Sequence, residues 1–279
     1  MSCLVFPFFI AALTFSGVVN VVSVSVEQDL SLSFTEGQIL DNFAARMKSR
    51  LPESYMQEPI YLIRWLRARN FNIDAAERML LNNLKWREDI NIKNLENEDW
   101  SHFEEEFAYS LDISDKHDRP ILTIDSGKWD VRSAVVSGQR DKLVRWMIKM
   151  MEDATKRVRD YQQQGKNVTR WGMIYNLGYF NLVQSGCFQC LSVYTDFVSN
   201  YEAHYPNTVD KITLVNTPTL FEVVLRLIRP IFSEETKNLL SVYGTNKQEW
   251  QYALLKEIPK KELPSEYGGT RVRDILDDN

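Results

Sequence analysis

Cysteine is scarce in this chain: three in 279 residues, of which only Cys187 and Cys190 lie beyond residue 26. That is too few for the disulfide framework that holds small secreted domains together. Cys187-Phe188-Gln189-Cys190 has the spacing of a redox or metal pair, but two thiolates fall short of a tetrahedral zinc site and no matching Cys or His pair follows, so both are expected as buried packing thiols, with redox chemistry as the alternative. Histidine is equally sparse: His102, His117 and His204 fall in no triad pattern, and no G-x-S-x-G elbow supplies a nucleophile. His204, beside Tyr205 and Pro206, reads as a helix-end ring satisfied locally. Gly127-Lys128 lacks the preceding glycines of a phosphate loop, and no dinucleotide fingerprint occurs. These gaps leave no catalytic residue, metal site or cofactor site to assign.

A surplus of positive charge is missing too. The chain carries 33 basic and 38 acidic side chains, a net charge of -5, so no overall field attracts nucleic acid. The charge is uneven: Arg64, Arg67, Arg69, Arg78, Lys85 and Arg87 precede residue 90, and Glu96, Glu98, Asp99, Glu104, Glu105 and Glu106 follow it. A solvated face or mutual salt bridges are expected there. Residues 1–26 hold no charged side chain at all. Their apolar run, with small residues near Ser23 and Ser25, reads as a secretory leader without its basic start, an anchor, or an extension. Asn167-Val168-Thr169 is a glycosylation sequon that matters only if the chain enters the secretory pathway.

With 44% hydrophobic residues, the chain has ample material for a core, as one large domain or a small helical domain plus a larger one. Thr35 with Gln38 reads as a capping box before Ile39, Leu40, Phe43 and Met47, which share one helical face. Pro59 suits the first turn of a second helix carrying Leu62, Ile63 and Leu66. Asp74 with Glu77 reads as a cap ahead of Met79, Leu80 and Leu84. This helical module ends near Asn94. Beyond it, strand-like runs at 121–125, 172–177 and 211–216 alternate with helical runs at 138–164 and 187–204. The first of those helices has Leu143, Met147, Met151 and Val158 in phase. Strands separated by helices predict a mostly parallel sheet in an α/β fold. No repeat or low-complexity linker appears, so the two modules should pack together.

The richest segment spans 218–244. On a helical wheel Phe221, Val224, Leu225 and Ile228 form one apolar stripe; Val223, Leu227 and Ile231 form another. Only Glu222, Arg226 and Arg229 break the surface. A helix apolar on two sides needs two apolar neighbours: the core and a second core element, or the core and a lipid or membrane.

Four ordered motifs resemble the CRAL-TRIO lipid-binding family. They are Y-L-I-R-W-L-R-A-R-N-F-N-I-D-A-A-E-R-M-L from Tyr61, N-Y-E-A-H-Y-P-N from Asn200, L-V-N-T-P-T-L-F-E-V-V-L-R-L-I-R-P-I-F-S-E-E-T from Leu214, and L-P-S-E-Y-G-G-T from Leu263. The likeness covers nearly everything from residue 35 to Thr270. It is nearest to the supernatant protein factor and tocopherol-associated branch; because the chain stops at Asn279, it is expected without that branch's GOLD domain.

The resemblance implies a helical domain over 35–94 and a lipid-binding domain over 95–279, whose mixed, mostly parallel sheet floors an apolar cavity. A gate helix over 220–229 would close it, with Phe221, Val224, Leu225, Leu227, Ile228 and Ile231 as gate residues. Met173, Tyr175, Phe180, Tyr194, Phe197, Val198 and Leu214 are expected near the cavity, although an ordinary core would contain the same types. In phosphatidylinositol-transferring relatives a Glu follows the Tyr-Pro pair and a Lys precedes the proline that closes the gate. Here those positions are Asn207 and Arg229, and with Tyr205 and Arg226 they are the head-group candidates. The family's acidic residue after the central strand is also replaced, in Y-N-L-G-Y from Tyr175. A neutral ligand such as a tocopherol, retinoid, squalene or carotenoid is expected beside the phospholipid class. The resemblance further implies a monomeric, non-enzymatic carrier, peripheral to membranes in the cytoplasm, with secretion through the leader as the alternative. A scaffold of the same fold without a cavity and phosphatidylinositol transfer are the other readings left open.

Overall fold

The structure, a computed structural model, describes residues 26–185 and 187–272. Most of the leader segment, residues 1–25, lies outside the described residues. Among the described residues, no helix is long and apolar enough to cross a membrane.

The helical module comprises α1 (Val26–Asp29), α2 (Phe34–Met47), α3 (Pro59–Arg67) and α4 (Ile73–Asp89). Phe43, Met47, Ile63, Leu66 and Leu80 form its own buried cluster, the product of apolar residues spaced three and four apart. Pro59 opens α3 at its first turn, where a missing N–H costs nothing. Both capping assignments move. The box on α2 is Ser33 with Glu36, because Thr35 already lies inside the helix. On α4 the cap is Asn72, whose side chain accepts from the Ala75 N–H at 2.9 Å. Asp74 and Glu77 instead pair with Arg46 of α2, Asp74 at 2.8 Å, joining two helices rather than starting one.

Five strands form one sheet in the order β1 (Tyr109–Ser114), β2 (Pro120–Ile124), β3 (Trp171–Asn176), β4 (Val209–Val215), β5 (Leu240–Val242). β1 and β2 are antiparallel and the other pairs are parallel. The connections carry α5 (Ser101–Glu106), α6 (Val131–Val136), α7 (Arg140–Gln163), α8 (Leu191–His204), α9 (Phe221–Ile228), α10 (Glu234–Leu239) and α11 (Lys247–Glu257). Side chains alternate across the pleat. Leu122, Ile124, Met173, Tyr175 and Leu214 join the cluster built with α7, α8 and α9, while Ile121, Ile174 and Val215 join Trp250 and Leu254 of α11 on the other face.

Three of the crowded charges, Arg87, Glu96 and Glu98, pair with α7 rather than with one another. Arg87 donates to both carboxylate oxygens of Glu152 at 2.7 and 3.0 Å, and the Tyr205 hydroxyl donates to the same group at 2.8 Å. Burial alone would raise the Glu152 carboxyl, but the Arg87 charge and these hydrogen bonds hold it below the usual carboxylate range. Arg145 binds Glu98 and Lys156 binds Glu96. Between the modules, Trp86 stacks on the His204 ring at 3.8 Å. Asn83 donates to the His204 carbonyl at 3.2 Å and Arg64 to the Thr169 carbonyl at 2.6 Å. The two modules therefore meet through charge-assisted bonds as well as apolar contact.

Candidate functional site

α9 is two-sided. Phe221, Val224, Leu225 and Ile228 are buried, whereas Val223 and Leu227 are 56% and 51% exposed, beside Leu220 at 55%. Ile231, placed with the outer stripe by periodicity, is half-buried and packs against the core. A short turn over Arg229–Ile231, with Pro230 in its first turn, ends the helix.

Under the buried face lies a cavity of about 80 Å³. Met173 and Tyr175 of β3, Ile212 and Leu214 of β4 and Leu240 of β5 form its floor; Tyr194, Phe197, Val198 and Tyr201 of α8 form a wall. Phe221, Leu225 and Ile228 of α9 roof it, and Val209, Phe232 and Thr236 complete it. None of these lining residues is charged. Burial pushes the Tyr175 phenol up to about 12 and the Tyr194 phenol well above its ordinary value, so both stay neutral. Ser126 near the Tyr175 hydroxyl and Ser185 near that of Tyr194 offset only part of the rise. Such a space accepts hydrocarbon and rejects ions.

Of the residues expected at the cavity, Met173, Tyr175, Tyr194, Phe197, Val198 and Leu214 line it. Phe180 sits outside, its ring edge-on to Phe221 at 5.1 Å between centroids. Tyr201, Val209, Ile212, Phe232, Thr236 and Leu240 line it without having been singled out. The alternation that places Met173 and Tyr175 on one face of β3 would have found Ile212, two residues before Leu214.

Residues 104–269 match the CRAL/TRIO domain family. The chain belongs to that family. The CRAL-TRIO domain-containing protein T23G5.2 of Caenorhabditis elegans is 27% identical over 240 residues, covering 84% of this chain and 32% of that protein. The chain thus spans about a third of the length of that curated relative. The crystal structure of Sfh5 superposes with a TM-score of 0.69 at 15% identity, covering 87% of this chain and 89% of that one, a likeness of fold. The CRAL/TRIO domain is a lipid-binding domain, and its helices and mixed five-stranded sheet are those described above.

In this CRAL/TRIO domain the four head-group candidates do not form one site. Tyr205 is buried and spends its hydroxyl on Glu152. Asn207 is buried with φ of +56°, which asparagine tolerates, and donates to Glu235 at 3.0 Å. Arg226 and Arg229 are exposed on the outer side of the domain. Asn176, within the Y-N-L-G-Y run, donates to Asp125 at 3.0 Å and accepts from Gly178 N–H and the Asn216 amide at 3.0 and 2.9 Å. A carboxylate there would face Asp125, so the amide is the chemistry this corner requires.

The cysteines differ from the expectation of packing thiols: Cys187 and Cys190 are joined in a disulfide. A turn brings the two sulfurs together, with Cys190 buried and Cys187 half-buried.

Proposed function

We propose that the protein holds a neutral hydrophobic lipid in this cavity and carries it between membranes, with α9 as the gate. The division of the apolar surface of α9 carries the reading: one stripe lines the cavity, and a second faces water. Exposed apolar groups are costly, about 0.8 kcal/mol per methylene, and Leu220, Val223 and Leu227 repay that cost only against another apolar phase. The cavity is small. Its 80 Å³ falls below the roughly 300 Å³ at which drug-sized pockets begin, so a whole lipid enters only when α9 moves outward. A bilayer that takes up the outer stripe, with Arg226 and Arg229 at the head groups, supplies the free energy for that motion. Exposed Tyr179, Val183 and Phe188, on the connection from β3 to α8, extend the docking face.

The uncharged lining supports a tocopherol, retinoid or squalene over an inositol phosphate, and the resemblance to the tocopherol-associated branch points the same way. A helical domain over 35–94, a lipid domain over 95–279, a monomeric state and a non-catalytic role belong to the same proposal. Vesicle-to-vesicle transfer tests it. Leu227→Asp, on the exposed face, should cut transfer at least tenfold with an unchanged melting temperature; an unchanged rate would reject the gate.

A further inference from the structure

The sequon and the cysteine pair take no part in the lipid cavity, and both point to a compartment. Asn167 is exposed in the connection from α7 to β3, two residues after Gly165, whose φ of +80° turns the chain out of the helix. Its Oδ1 accepts from the Val26 N–H at 2.7 Å, which leaves Nδ2 outside that bond. Nδ2 is the atom a glycan replaces a hydrogen on, and the acceptor survives that substitution. Val168 and Thr169 are buried, and Arg64 holds the Thr169 carbonyl at 2.6 Å. The loop is thereby anchored with the asparagine displayed.

The position suits a bulky group. Asn167 precedes β3, while Tyr179 and Leu220 follow β3 and β4, which run parallel. A glycan at Asn167 therefore stands at the opposite end of the strands from the start of α9. The Cys187–Cys190 disulfide is a bond that persists in oxidising compartments and is rare where glutathione keeps thiols reduced. The uncharged apolar stretch over residues 1–26 is the segment that would deliver the chain there.

We infer that Asn167 is an N-glycosylation site, filled as the chain enters the secretory lumen. Asn167 Nδ2 attacks the anomeric carbon of an oligosaccharide carried on a lipid diphosphate. The C–N bond forms, the C–O bond to the diphosphate breaks, a base takes the amide proton, and the lipid diphosphate leaves. This reading replaces the cytoplasmic placement that the resemblance alone implies, and it is independent of the lipid proposal.

The test is expression of the full chain in eukaryotic cells, followed by treatment with an amidase that removes N-linked glycans. The expected result is a mobility increase on treatment that Asn167→Gln abolishes, from protein lacking residues 1–25 or so by mass spectrometry. Blocking free thiols before reduction should leave Cys187 and Cys190 unlabelled in the same material. Protein insensitive to the amidase, whether it stays in the cytosol or enters the lumen, would overturn the inference.

Discussion

His204 shows how one side chain reports the junction between the modules. Burial, with the Arg87 charge nearby, lowers its imidazole from the ordinary 6.5 to about 4. The folded protein thus keeps a neutral ring where the unfolded chain takes up a proton. Stability falls as pH is lowered through the window between those values, because the unfolded state binds more protons there. Urea midpoints at pH 7 and pH 5 should differ for the native sequence and differ less for His204→Phe, which keeps a ring on Trp86 and removes the titration. Glu152 makes a stronger claim. Glu152→Gln strips the charge that balances buried Arg87 and should cost on the order of 3 kcal/mol by denaturant unfolding. At the sheet's carboxyl edge, Asn176→Asp keeps the acceptors for Gly178 and Asn216 but turns the donor to Asp125 into a second carboxylate. A loss of about 1 to 3 kcal/mol at pH 7, shrinking as pH falls towards 4, is expected from unfolding at the two pH values.

Elements differ in how far their residues announce them. The long α7 and the central strands β2, β3 and β4 were legible, because a buried amphipathic helix and buried strands leave strong periodic signals. β1 and β5 were not. The first reads Y-S-L-D-I-S on a half-solvated edge, and the second is three residues long, so neither carries an apolar run. The caps on α2 and α4 lay two residues before the positions read from the sequence, since several Ser, Thr, Asn and Asp competed and only backbone geometry chose among them. The inner stripe of α9 was legible from the wheel, but not that Ile231 would fold back onto the core, where Pro230 breaks the period. Gly127, read from the sequence only as lacking the other glycines of a phosphate loop, is fixed by a close approach of two turns: a Cβ there would stand 1.8 Å from the Gly178 carbonyl oxygen. Gly127→Ala should therefore lower stability by about 1 to 3 kcal/mol in thermal or urea unfolding, whereas Gly37→Ala, with open space around it, should raise it slightly.

For the whole molecule, the account joins a small, uncharged cavity to a helix that is apolar towards both the cavity and the solvent. On the proposed reading, the small volume calls for gate motion, since nothing the size of a tocopherol fits 80 Å³. The most direct measurement is native mass spectrometry of the full chain after incubation with phosphatidylcholine vesicles containing tocopherol, retinol or squalene. The account predicts one neutral lipid retained per chain, lost when Leu214→Trp fills the floor. A chain that emerges empty from every such mixture, with its fold intact, would contradict it.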